Sequence, residues 1–298
     1  MSAFYQVRHE LTYRYSQPVY LEPQILFLRP RSDAAQKVHD FRVAITPDPM
    51  LASDQTDLFG NIPTCLWFRG TTPQFSVSAV SSVEVSRDNP FDFLLEGRNI
   101  SLPVSYSPRL ESALSIYRKP LENDRSVRLF SDRIASSVGF DTSRFLFALC
   151  TEIQIRSRKI ERIEGDSWLP SETLEAGQGA CRDLAVLYIE CCRMQGLAAR
   201  FASGYFARDT DEISHELHAW CEVYLEGGGW RGYDPSYGLA ASESHIAVAS
   251  APDGYSLTPV QGSFRGAKVK AVLTTNVSIT RAGGIDLNAR LVRNSADL

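Results

Sequence analysis

From Gly177 to Phe206 the chain reads GQGACRDLAVLYIECCRMQGLAARFASGYF. Leu184, Val186, Leu187, Ile189, Cys191 and Met194 form an apolar run closed on both sides by glycines. That pattern predicts a helix of about 14 residues beginning at Cys181 or Arg182, with Gly196 as the residue just past its end. ARFASGYF then reads as a strand, His218 to Leu225 as another, Gly227 to Gly229 as a turn and Trp230 to Asp234 as the returning strand. This region therefore combines a helix with a run of strands.

The ends of the chain read differently. From Phe4 to about Ser86 short alternating runs are divided by turn signals, and Tyr5, Val7, His9, Leu11, Tyr13 and Tyr15 share one strand face. An antiparallel sandwich or barrel is expected there. Around Pro90, Pro103 and Pro108 the pattern loosens into a linker. Helical signals begin at Glu122, with one segment ending at Gly139 and a second capped by Asp141 or Thr142 and running through Phe145, Leu146, Leu149 and Ile153. VKAVLTTNVSITRAG predicts one or two further strands. The expected layout is a β-rich domain at 1–88, a linker at 89–121, a core of helices and strands at 122–262 and C-terminal strands at 263–298.

Charge and cysteine usage narrow the function. A net charge of −4 over 298 residues gives no field favouring nucleic acid. The opening MSAFYQVRHELTYRYSQ lacks the apolar segment of a signal peptide, and no run approaches the ~18 apolar residues of a membrane span. A cytoplasmic address is expected, where Cys65, Cys150, Cys181, Cys191, Cys192 and Cys221 stay reduced. A zinc site fits poorly, because there is no CxxC and the adjacent Cys191 and Cys192 point about 100° apart on a helix. The five cysteines other than Cys181 read as small core residues.

Cys181 is different. At a helix N-terminus the unsatisfied amides and the helix dipole favour negative charge. A free thiol is only about 3% thiolate at pH 7, and lowering its pKa makes the nucleophile the majority species. A base is offered downstream. His218, Trp220, Glu222 and Tyr224 share one strand face, and the glycine turn gives Asp234 matching parity on the returning strand. An acid there orients one imidazole nitrogen and leaves the other for the thiol. Cys221 has the opposite parity and is expected to point away. Asp183, in the first turn, is expected to interact with the free amides.

GACRDLAVLYIECCRMQGLAARFASGY, LHAWCEVYL and GWRGYDPSYG, in that order, resemble the three signature blocks of the bacterial transglutaminase-like superfamily. YQVRHELTYRYSQPV, LFLRPR and DLFGN resemble the β-rich N-terminal domain of many bacterial members. The resemblance implies a papain-like α+β core, helices packed on an antiparallel sheet, preceded by an antiparallel β-sandwich-like domain. It also implies a Cys181, His218 and Asp234 triad. Departures are few: Arg182 follows the cysteine where many relatives have glutamine, Ser236 stands for threonine, and ASAPDGYSL lacks the usual charged, arginine-containing pattern at the cleft rim.

The expected activity is acyl transfer at amides through a thioester. Water as acceptor makes a peptidase or amidase, and an amine makes a protein-glutamine transglutaminase; hydrolysis is favoured. A peptide-binding module using the same cleft without catalysis is the non-enzymatic alternative. The expected oxyanion donors are the Cys181 backbone N–H with Gln178 or Trp168 as second donor, while Trp220 and Trp230 are packing residues or shape the cleft, and His215 is a loop histidine or lies at its mouth. The expected partners are a peptide, a protein or a small amide, with no metal, organic cofactor, nucleic acid or membrane.

Overall fold

The computed structural model describes residues 2–95, 100–162, 165–207, 217–254 and 257–282. The N-terminal strands are β1 (Ala3–Leu21), β2 (Gln24–Leu26), β3 (Gln36–Thr46), β4 (Leu51–Asp54), β5 (Thr64–Trp67) and β6 (Thr71–Val85). In β1 the predicted alternation holds, with Tyr5, Val7, His9 and Leu11 all buried. The chain then passes through α1 (Pro108–Ala113), α2 (Ser115–Arg118), α3 (Arg125–Ser137), α4 (Thr142–Arg156), β7 (Arg158–Lys159), α5 (Pro170–Ala176), β8 (Gln178–Gly179) and α6 (Cys181–Met194). The strands β9 (Ala199–Phe206), β10 (Leu217–Leu225), β11 (Gly229–Asp234), β12 (Leu239–Ala240) and β13 (His245–Ala251) follow, then β14 (Val260–Gln261), β15 (Phe264–Arg265) and β16 (Ala271–Ala282).

Two sheets form the N-terminal sandwich. One is ordered β15-β1-β6-β3 with β16 also paired to β1, and the other is β14-β2-β5-β4. Leu11, Val19, Leu26, Leu66, Phe75 and Val77 fill the space between them. The chain therefore returns to the sandwich after completing the second sheet system. β14 extends the β2 sheet, and β16 pairs along β1 from Phe4 to Tyr15.

The second system is the antiparallel sheet β12-β11-β10-β9-β13, against which α6 packs. α6 is buried on almost every side, so it is the axis of the core and not a surface helix. Its C-terminus closes as a Schellman turn: Gly196 has φ +78°, the Leu197 N–H donates to the Cys192 carbonyl at 3.0 Å and the Gly196 N–H to the Arg193 carbonyl at 3.0 Å. Glycine is doubly required there, because a Cβ would lie 2.3 Å from the Val104 carbonyl oxygen. The buried Glu190 carboxylate of α6 accepts the N–H groups of Leu121, Glu122 and Asn123 at 2.7, 3.3 and 3.1 Å, tying the end of the 89–121 segment to the core. Where a linker is expected, Pro108–Ala113 and Ser115–Arg118 form α1 and α2.

The sandwich and the α+β sheet are not packed separately. Tyr5, Val7, Val83 and Val85 belong to the same continuous core as Leu187 and Ile189 of α6. Among the described residues no helix is long and apolar enough to cross a membrane.

Candidate active site

Cys181 is the first residue of α6 and is half-buried. The helix end beneath it is fixed by Asp183, a fully buried carboxylate that accepts from the Ala180 N–H at 2.8 Å and from the Trp168 N–H at 2.9 Å. Arg162 donates to the same carboxylate at 2.6 Å, so a counter-charge sits beside the acid. The repulsion that the Asp183 charge would exert on a thiolate at Cys181 is thereby blunted.

The hairpin register settles the geometry opposite the thiol. Tyr224 pairs with Trp230 and Cys221 with Tyr233, which continues to Asp234 opposite Trp220 and diagonal to His218 on the same face. His218 Nε2 and Asp234 Oδ2 are 2.7 Å apart, both groups buried. The His218 and Cys181 side chains hydrogen-bond to each other. With Nε2 engaged by the carboxylate, Nδ1 is the nitrogen left for the sulfur.

Charge follows from this relay. Burial alone would lower His218, but the charge and hydrogen bond of Asp234, helped by Cys181, push it up to about 10. For Cys181 burial raises the thiol, and the hydrogen bond and charge of His218, with Lys159 adding, outweigh it and bring the thiol below its usual range. Asp234 would be raised by burial, yet the two histidines hold it well below the carboxylate range. Both shifts favour the thiolate–imidazolium form of the pair.

A residue that the sequence did not single out completes the cluster. His245 Nε2 lies 3.2 Å from Asp234 Oδ2, and its Nδ1 accepts from the Ser242 N–H at 3.4 Å. That places the proton on Nε2, donated to Asp234. Burial first, and the neighbouring His218, keep His245 below the usual histidine value. Three strand spacings separate β11 from β13, about 14 Å on a flat sheet. Contact at 3.2 Å therefore requires the sheet to curl at this rim. No local pattern in ASESHIAVASA announces that curl. Asp234 receives one more donor, the Ser236 N–H on Oδ1 at 2.9 Å.

Aromatic rings wall the cluster. Phe206 lies 4.7 Å from Tyr237 and 4.7 Å from His245, measured between ring centroids, and Lys159 Nζ donates to the Tyr237 hydroxyl at 2.8 Å. Trp220 is buried behind His218 and His245. Its indole fits because Gly204 lies beneath it; a Cβ there would come within 2.8 Å of the ring and 2.1 Å of the Ile246 carbonyl oxygen.

The remaining sequence candidates divide. Gln178 is three residues before the thiol, and its amide oxygen accepts from Arg158 at 2.7 Å. Trp168 has its ring under the Arg162 guanidinium at 5.0 Å. Trp230 is not brought to the cluster: it sits opposite Tyr224, six residues and about 20 Å along β10 from His218, stacked with Arg200 at 4.0 Å. The spacing of tryptophans carried no information about which end of the hairpin bears the site. Cys221 points into the core as its parity requires. His215 lies outside the described residues. His218, Asp234 and His245 each offer one ligand atom within 4.8 Å of one another, a donor set that could hold a metal ion; the two histidine–carboxylate hydrogen bonds already satisfy the same atoms.

A thiol heading a central helix, facing an imidazole on a curled antiparallel sheet, defines the transglutaminase-like, papain-related class of α+β folds. Residues 135–235 match the transglutaminase-like superfamily and residues 5–84 match the bacterial transglutaminase-like N-terminal region, and the chain belongs to that superfamily. It is 27% identical to an uncharacterized protein of Mycobacterium tuberculosis strain H37Rv, over 96% of this chain and 95% of that one. An uncharacterized protein of Mycobacterium leprae is 25% identical over 93% and 98% of the two chains. Among solved structures, a candidate cysteine protease from Cytophaga hutchinsonii superposes with a TM-score of 0.73 at 17% identity, covering 96% of this chain and 92% of that one.

Proposed function

We propose that the protein is a thiol-dependent acyl-transfer enzyme that hydrolyses amide bonds in a peptide, protein or small amide. The observation that carries this reading is the Cys181, His218 and Asp234 relay, with the thiol lowered and the imidazole raised. The Cys181 sulfur attacks the substrate carbonyl carbon, and the negative charge moves to its oxygen. The Cys181 N–H and the Gln178 amide, whose oxygen is held by Arg158, are the proposed donors to that oxygen. The carbon–nitrogen bond breaks as the His218 proton passes to the departing amine, leaving a thioester and a neutral imidazole. His218 then takes a proton from water, the resulting hydroxide adds to the thioester, and the thiolate leaves to face the imidazolium again. An amine in place of that water gives the transglutaminase outcome through the same acyl-enzyme. Six free thiols fit a reducing cytoplasmic setting.

The test is a peptide library offered to the protein with and without a primary amine, read by mass spectrometry. Hydrolysis yields cleaved or deamidated products whether or not amine is present, and transamidation yields amine adducts. Intact peptides in both arms, with Cys181 unmodified, would end the enzymatic reading and leave the peptide-binding module.

His245 acts in this scheme as a positioning residue for Asp234. Removing its N–H leaves more uncompensated negative charge on the carboxylate and loosens the His218 ring, and both effects disfavour the thiolate. His245→Phe is expected to move the acidic inflection of the Cys181 alkylation profile upward by about one unit and slow alkylation at pH 6 several-fold. His245→Gln, which keeps a donor, should recover most of the change; equal profiles for the three proteins would remove His245 from the relay.

A further inference from the structure

Between the N-terminal sandwich and the face of β10 and β11 lies a cavity of about 320 Å³. Its sandwich wall includes Arg31 and Arg87, its sheet wall Arg200, Glu222 and Trp230, and its inner end Trp220 and His245. Cys181, His218 and Asp234 are not among its walls, so it lies behind the relay and not in front of it.

The charges around it do not cancel. Glu222 is shared by two guanidinium groups: Arg31 reaches it at 3.1 and 2.6 Å, and Arg200 at 2.8 and 2.7 Å. Arg231 pairs with Asp92 beside them. Asp33 Oδ2 stands 3.5 Å from Arg31 Nε, which is buried without a hydrogen-bond acceptor. Arg87 remains, half-buried, its guanidinium with no acceptor among the described residues. Burial, and then the charge of Arg231, make its positive charge less favourable. Three arginines (Arg31, Arg87, Arg200) thus line the cavity with two carboxylates (Asp33, Glu222), a surplus of one positive charge.

We propose that this cavity binds a small organic monocarboxylate, held by Arg87 with its apolar part against Trp220 and Trp230. A planar guanidinium matches a carboxylate in a two-bond fork, and a partly desolvated cation is relieved by one such partner. A single surplus charge suits a monoanion. A phosphate dianion would be set against Glu222 and Asp33 as well. The volume is at the lower end of small-ligand sites, and the two indoles supply the apolar wall that such sites have. The carboxylate could belong to a free acid or to the C-terminus of a peptide, and the probes separate these.

The test uses the full chain and its Cys181→Ala variant, so that binding is read apart from thiol chemistry. Benzoate, N-acetylphenylalanine, N-acetylphenylalanine amide and inorganic phosphate are titrated while tryptophan fluorescence and calorimetric heat are followed. Saturable binding of benzoate or N-acetylphenylalanine is expected in both proteins, with neither the amide nor phosphate competing. Tighter binding of benzoate identifies a free acid, and tighter binding of N-acetylphenylalanine a chain terminus. Arg87→Met should weaken binding at least tenfold at an unchanged melting temperature, and Arg87→Lys, which keeps the charge without the fork, by less. No saturable binding, an affinity unaffected by Arg87→Met, or phosphate binding more tightly than both acids would each overturn the proposal.

Discussion

Iodoacetamide should alkylate one cysteine rapidly at pH 6, and Cys181→Ala should abolish that reaction. An ordinary thiol at pH 6 is only about 0.3% ionised, so its alkylation there is slow. Cys181 is lowered by the hydrogen bond and charge of His218 against the opposing effect of burial. Its rate at pH 6 is therefore expected to exceed that of an unperturbed cysteine by at least tenfold. The other thiols do not compete, because Cys65, Cys150, Cys191, Cys192 and Cys221 are all buried. His218→Ala removes the lowering influences that carry most weight, so the inflection should move to or above the ordinary thiol value near 8.5. Turnover of any substrate found should fall by about 10³-fold or more, since the general acid is lost. If the His218→Ala inflection coincides with that of the native protein, no ion pair exists and the mechanism fails with it.

The same pair sets the pH window. His218 is raised to about 10, so the stability it contributes is full below the unfolded value near 6.5 and is lost as pH rises through about 10. Cys181 is shifted the other way, so its contribution is full above the ordinary thiol value and is lost as pH falls through its lowered one. The thiolate–imidazolium form is the majority species between the lowered thiol value and about 10, and activity should be confined to that interval.

Local rules carried the reading of α6 and the hairpin because the decisive interactions there are local. Gly196 at φ +78° and Asp183 on the Ala180 N–H are within a turn of the helix they bound. The parity of His218 and Asp234 survives because the hairpin register runs unbroken from Leu225 opposite Gly229 to Cys221 opposite Tyr233. The role of His245 was not legible for the opposite reason. Its partner is three strands away, and the contact depends on how far the whole sheet curls. The return of β14, β15 and β16 to the sandwich is likewise a long-range pairing, and a strand-like sequence does not state which strand it joins. Trp220 and Trp230 illustrate the middle case: parity gives the face they share, but the position along it decides that one backs the relay and the other does not.

The union of sandwich and core predicts the largest loss of stability. Glu222 is buried on β10 and bonded by Arg31 from the sandwich and Arg200 from β9. Burial alone would raise this carboxyl, yet the two guanidinium groups bring it down to about 2. Glu222→Gln keeps the shape and removes the charge, leaving two largely desolvated cations without the anion that lies between them. Breaking such a buried group from one side costs about 3–5 kcal/mol, which in a chain of this size lowers the melting temperature on the order of 10 °C. The sign with pH is fixed by the lowered carboxyl: its contribution is full above about 4.5 and disappears as pH falls through about 2. The native protein and Glu222→Gln should therefore converge in stability on acidification, which a merely steric defect would not produce. Replacing all three groups with apolar residues (Arg31→Met, Arg200→Met, Glu222→Leu) should recover much of the loss, since the cost lies in the unpaired charge and not in the missing bond. Calorimetric melts at pH 7 and pH 3 decide the matter: a Glu222→Gln melting temperature within about 2 °C of native at pH 7 would mean that the arginine pair does not join the two halves of the molecule.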